Sequence, residues 1–180
     1  KDPPPDMWRC VPGVGVDVAK PIVAAVSGWC VGGGLILVQM SDLCVAAEST
    51  TFLYPEAKVG VTGGLIAGLA ARIPVKIAME LMLLGEPIDA ERAYSVGLIN
   101  RVVPDGEHIE AAKTMAHTIA GYAPLVTAAL KKFVADMLPV SATETTYRTK
   151  KTLDAIMASD DLAEGVAAFK EKRPPRFKGE

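Results

Sequence analysis

The chain has 180 residues, 50% of them hydrophobic and 22% charged, which fits one globular domain, or the larger part of one, with a substantial core. Its 19 basic residues against 21 acidic ones leave a formal net charge of −2 at pH 7, so no basic field is present to hold a nucleic-acid backbone, and a small-molecule ligand is the better expectation. Cys10, Cys30 and Cys44 have neither metal-ligand spacing nor the density of a disulfide-stapled secreted fold. They read as reduced thiols of a cytoplasmic protein with no metal site, Cys30 and Cys44 as small buried hydrophobes.

Residues 1–20 hold Pro3, Pro4, Pro5, Pro12, Gly13 and Gly15 without a clear period, and read as a loop with room for a helix. The chain does not begin with methionine and opens in this irregular segment, so further material is expected upstream. Residues 22–26 are a short β-favouring apolar run between Pro21 and Ser27-Gly28, expected as a strand buried on both faces. Residues 21–40 carry no charge and are long enough to cross a bilayer as a helix. That alternative would put Gly28, Gly32, Gly33 and Gly34 inside a helix at about 1 kcal/mol each relative to alanine. A strand, a turn and a buried helix fit better, and neither a membrane span nor a signal peptide is expected.

A helix over 35–40 and a strand over 43–47 follow, giving the β-turn-α-β order of an α/β layer architecture. Residues 51–61 are mixed, and Gly60, Gly63 and Gly64 mark turns before a small-residue helix over 65–72. Next come a helix over 75–84 ending at Gly85, a helix capped by Asp89 and stopping at Gly97, and a strand-like run over 99–103 closed by Pro104. Helical patterns cover 107–122, 124–137, 142–159 and 160–172. Ser159, Asp160 and Asp161 suit the start of the last helix, and Lys170, Lys172 and Arg173 suit its end. The organisation expected is an α/β core over 1–105 followed by a helical region over 106–180.

The glycine run 32–34 lies between a strand and a helix start, where backbone N–H groups lack intrahelical partners and can bind an anion or oxyanion. Tight strand-to-helix packing calls for glycine on steric grounds as well. Neither G-x-G-x-x-G nor a Gly-Lys-Ser/Thr ending is present, so nucleotide readings are disfavoured. Glu56 follows Pro55 in a turn between apolar neighbours. Alone it reads as a surface glutamate, but held beside a thioester, with partial burial raising its pKa, it could move a proton at the adjacent carbon. His108 and His117 lie in a charged amphipathic helix without a nucleophile motif, and G-x-S-x-G does not occur.

The stretch Lys20-Pro21-Ile22-Val23-Ala24-Ala25-Val26-Ser27-Gly28, followed by Gly32-Gly33-Gly34, Ser41-Asp42 and Tyr54-Pro55-Glu56-Ala57-Lys58-Val59-Gly60, closely resembles the enoyl-CoA hydratase/isomerase, or crotonase, family. The helix-and-strand segment 90–104 and the ending with Glu164, Gly165, Phe169, Lys172, Arg173 and Phe177 are similar to the family's as well. The resemblance implies an α/β crotonase-like spiral of ββα turns, homotrimers or dimers of trimers, and an acyl-CoA thioester as substrate. It implies no cofactor apart from the coenzyme A of that substrate. Gly33 matches the glycine whose N–H forms half of the family's oxyanion hole, and the partner N–H would come from a segment before residue 1. Gly32, Gly34, Ile36, Pro55 and Gly60 would line the substrate site, and Phe169 and Lys172 would help to cover the coenzyme A moiety.

Family hydratases place one glutamate in the helix after the glycines and a second in the turn that here holds Glu56. The first position is Ile36, expected to face the same site with a hydrocarbon in place of a carboxylate. Moving a double bond needs only one base, so the resemblance implies a single-glutamate isomerase-like site. Hydration is the alternative, and a non-catalytic acyl-CoA-binding subunit is the alternative from another class.

Overall fold

The computed structural model describes residues 7–180, and Pro3, Pro4 and Pro5 lie outside that range. After a 3-10 turn, Met7–Cys10, the ladders begin at β1 (Val23–Val26), which passes through Ser27 and Gly28 (φ 67°) into β2 (Trp29–Val31). Helix α1 (Gly33–Gln39) follows, and the pattern then repeats with β3 (Leu43–Ala47), a corner at 48–50 and β4 (Thr51–Leu53). β1 pairs with β3 in parallel, Val23 opposite Leu43, and β2 pairs with β4 in parallel, Trp29 opposite Thr51. The two corners therefore stack. Thr50, fully buried, ties them by donating its hydroxyl to the Val26 carbonyl at 3.2 Å. β5 (Ile88–Asp89) adds antiparallel to β4, and β6 (Arg101–Val103) adds parallel to β3.

Four consecutive residues of β3, Cys44 to Ala47, are buried, as expected for a parallel strand covered on both sides. Cys44 and Ala46 face a core shared with Leu35, Phe52, Leu65 and Leu81. Val45 and Ala47 alternate to the other face. That side is covered by α5 (His108–Ala120), which packs across β1, β3 and β6. Burial pushes the Cys30 thiol up to about 11 and the Cys44 thiol to about 12, with the neighbouring Cys30 adding to the latter; all three cysteines are free. Residues 21–40 form a strand, a corner, a strand and a helix, and no helix among the described residues is long and apolar enough to cross a membrane.

Two helices have the termini that their caps dictate. α3 (Val75–Leu84) stops at Gly85, which takes the left-handed conformation at φ 57°, and α4 (Ala90–Ser95) starts where the Asp89 carboxylate accepts the Arg92 N–H at 2.7 Å. Ahead of them in the chain, α2 (Glu56–Val59) is a single turn. The segment expected as a helix over 65–72 is a 3-10 helix, Leu65–Ala71. Its Gly68 lies so close to Gln39 and Arg72 that an added Cβ would come within 2.8 Å of each, and the glycine that this packing needs weakens α propensity.

The C-terminal helices are α6 (Pro124–Met137), α7 (Ala142–Met157) and α8 (Asp160–Glu171). Lys131 pins α6 to the sheet by donating to Asp42 at 2.7 Å and to the Lys20 carbonyl at 3.0 Å. α7 starts in a capping box of Ser141 and Glu144, and the buried Glu144 also pairs with Arg72 at 3.9 Å. α8 binds its own tail: Arg173 forms a fork on Glu164 at 2.6 and 2.9 Å, and Asp161 accepts the Lys178 and Gly179 N–H groups.

Candidate active site at the end of two parallel strands

Because β2 and β4 run parallel with Val31 opposite Leu53, the residues that follow each strand emerge side by side. Such carboxyl ends are where parallel α/β sheets bind ligands. Gly32 donates its N–H to the Leu53 carbonyl at 3.0 Å and then turns into α1 at φ 53° and ψ −108°. On the β4 side come Tyr54, Pro55 and Glu56, the first residue of α2. The two arms meet closely: a Cβ added to Gly32 would lie 2.5 Å from Glu56 Oε1. The carboxylate thus rests against bare glycine backbone, next to the first turn of α1, where Gly33 and Gly34 present N–H groups that have no acceptor within the helix.

Glu56 is half-buried, and its Oε2 is shielded from solvent with no hydrogen-bond partner among the described residues. Burial raises its pKa above the usual carboxylate range, and its own backbone N–H opposes the shift. A carboxylate in this state can accept a proton from a bound carbon acid and return it. The turn itself is well tied. Lys58 N–H donates to the Pro55 carbonyl at 2.8 Å, and the N–H groups of Gly60 (φ 73°) and Val61 both reach the Glu56 carbonyl.

The fold therefore gathers Gly32, Gly33, Gly34, Pro55 and Glu56 at one place, with Gly60 closing the turn. Ile36, in the first turn of α1, is 2% exposed and belongs to the buried core cluster. Phe169, 86% exposed, and Lys172, in the left-handed region at φ 57°, stand at the end of α8, whose principal neighbour is α7, so within this chain they are not brought to the glycine turn. His117 is exposed, and His108 has a shielded Nδ1 without a partner among the described residues. The nearby Ser49 hydroxyl donates straight to Asp105 at 2.7 Å, so no histidine stands between them as a serine nucleophile would require. A cleft of about 330 Å³ lined by Trp8, Tyr147 and Lys150, and an open one of about 700 Å³ between α7 and α8, include none of the residues at the glycine turn. Tyr54 and Thr62 set a pair of hydroxyl side chains on either side of Glu56 in a segment otherwise rich in apolar residues and glycine, a pairing that sequence reasoning does not single out.

Stacked ββα layers with a carboxylate at the paired strand ends define a mixed α/β protein of the crotonase fold. Solved structures share it: the carnitinyl-CoA hydratase of Mycobacterium avium is 41% identical at a TM-score of 0.65, covering 91% of this chain and 65% of that one. The enoyl-CoA hydratase EchA1 of Mycobacterium marinum is 39% identical at a TM-score of 0.66, covering 93% of this chain and 69% of that one. The family model for enoyl-CoA hydratase/isomerase matches residues 15–180. A carnitinyl-CoA dehydratase of Salmonella typhi is 38% identical over 173 residues, 91% of this chain and 65% of the relative, so the chain spans just under two thirds of that protein's length. The chain belongs to the enoyl-CoA hydratase/isomerase family.

Proposed function

We propose that the protein acts on acyl-CoA thioesters through a stabilised enolate, with Glu56 as the single proton-transfer group and the Gly33 N–H as one oxyanion donor. The observation that carries this reading is the partly buried carboxylate of Glu56 set against the glycine start of α1, a helix whose own sequence, Gly33–Gln39, has no carboxylate. Glu56 would take a proton from C2 of a 3-enoyl thioester, the oxyanion donors would hold the enolate, and the same carboxyl would return the proton at C4. Losing one such donor costs on the order of 10² to 10³ in rate. No cofactor beyond the coenzyme A of the substrate enters this scheme.

Hydration or dehydration of a 2-enoyl thioester is the second reading, favoured by relatives named carnitinyl-CoA dehydratase and carnitinyl-CoA hydratase. It needs a water held beside the β-carbon, a task that family hydratases share between two carboxylates, and Ile36 occupies the place of one of them. The whole protein is expected to isomerise a 3-enoyl-CoA faster than it hydrates crotonyl-CoA. A hydration rate well above the isomerisation rate in the same preparation would exchange the two readings.

The same reading, in a cytoplasmic setting, includes homotrimers or dimers of trimers. Support comes from α6, which has no buried residue and exposes Leu125, Val126, Leu130, Phe133 and Met137. In such an assembly Phe169 and Lys172 would reach the coenzyme A moiety. Lys172→Glu is then expected to raise the KM for an acyl-CoA with little change in kcat, in a particle whose light-scattering mass is that of a trimer or hexamer. An unchanged KM or a monomeric mass would remove the corresponding part.

A further inference from the structure

Tyr54 is a core residue, 3% exposed, yet its side chain ends in a hydroxyl. A phenol buried among hydrocarbons needs a polar partner. It finds one across the turn: the Tyr54 hydroxyl lies 3.2 Å from Thr62 Oγ1, and the same Oγ1 accepts the Gly64 N–H at 3.1 Å. The chain between the two hydroxyls carries Glu56, two residues after Tyr54 and six before Thr62. The pair therefore closes a ring around the α2 turn.

The outside of that ring is fixed by close packing. A Cβ on Gly85 would lie 3.3 Å from the Tyr54 carbonyl oxygen and 3.5 Å from Pro55 Cα, so the end of α3 supports the peptide just before Glu56. Gly63 lies against the Trp8 ring, and Gly64 lies against Thr143 at the start of α7. Inside the ring the situation differs. Glu56 Oε2 has no hydrogen bond among the described residues to hold it, so the placement of the carboxylate depends on the backbone that carries it.

We propose that the Tyr54–Thr62 hydroxyl pair positions Glu56, fixing the span of the α2 turn and thereby holding the carboxylate against Gly32. This rests on the reading of Glu56 as the proton-transfer group. Tyr54 and Thr62 are positioning residues, acting through the backbone rather than on substrate. Burial raises the pKa of the Tyr54 hydroxyl, the Thr62 hydrogen bond opposes the shift, and the charge of Glu56 adds to it, so Tyr54 stays a neutral phenol able to donate.

Three variants test the pair. Tyr54→Phe keeps the ring and loses the hydroxyl, Thr62→Val keeps the shape and loses the hydroxyl, and Thr62→Ser keeps the hydroxyl. In the whole protein, with rates taken per folded molecule, Tyr54→Phe and Thr62→Val are expected to lower kcat roughly tenfold to a hundredfold while KM moves less than about threefold, because small misplacements of a reacting group are costly. Thr62→Ser is expected to return kcat to within about threefold of the parent. Hydrogen exchange at the Gly64 N–H should quicken in Tyr54→Phe. Glu56→Gln is assayed beside them. If Glu56→Gln is inactive while Tyr54→Phe and Thr62→Val keep parental kcat, the positioning role is overturned and the base stands. If Glu56→Gln itself keeps parental turnover, both fall. A Thr62→Ser variant as slow as Thr62→Val, or unchanged Gly64 exchange in Tyr54→Phe, also overturns the pair.

Discussion

Glu56→Gln is expected to lower turnover by at least about 10²-fold while acyl-CoA binding survives, since general acid/base catalysis contributes roughly 10² to 10⁴-fold and this carboxyl would serve both proton transfers. The substitution keeps size and packing and removes the basic oxygen. Stability should move the other way. Burial raises the folded-state pKa of Glu56, so whatever stability its protonated form lends is present below the usual carboxylate range and is lost as the pH rises through the raised value. At neutral pH the ionised, partly buried group is therefore no asset to the fold, and the neutral glutamine should melt at or above the parent temperature. A glutamate kept only for structure would show the reverse, a lower melting temperature with an unchanged rate per folded molecule. Turnover and melting measured on one sample separate these outcomes, and a folded Glu56→Gln enzyme with near-parental turnover would take Glu56 out of the mechanism.

How much of this was legible beforehand depends on the range of the interaction that fixes each feature. α3 and α6 have the termini that sequence suggests, because Gly85 and Pro124 are local signals acting within one turn. β2 and β5 were not legible. Trp29–Val31 and Ile88–Asp89 are too short to show a period, and they are strands only because β4 lies between them. The glycine run and Glu56 could each be singled out from the sequence, but nothing in it says that they touch. Their contact follows from the register of β2 on β4, which sets Val31 beside Leu53 and so delivers Gly32 and Glu56 to the same place.

Gly32→Ala is expected to cost about 1–3 kcal/mol of stability, because φ 53° with ψ −108° lies outside the wells open to a residue with a Cβ. Activity should suffer more than stability. The atom that the new methyl meets is Glu56 Oε1, the free end of a flexible side chain, which can swing aside at little energetic cost to the fold. That movement takes the carboxylate away from its place against the glycine turn, and a displacement of about 1 Å at a reacting group can cost on the order of 10² in rate. Gly97→Ala supplies the comparison. Gly97, after α4, also has positive φ, 79°, but nothing lies within 4 Å of a Cβ added there, so the expected loss is about 1 kcal/mol of stability with turnover per folded molecule near the parent value. The measurement is kcat and melting temperature for both alanine variants. A Gly32→Ala enzyme that loses stability and keeps parental kcat would mean that the glycine serves the backbone alone. A kcat that falls for Gly32→Ala and holds for Gly97→Ala would tie the glycine to the position of the Glu56 carboxylate.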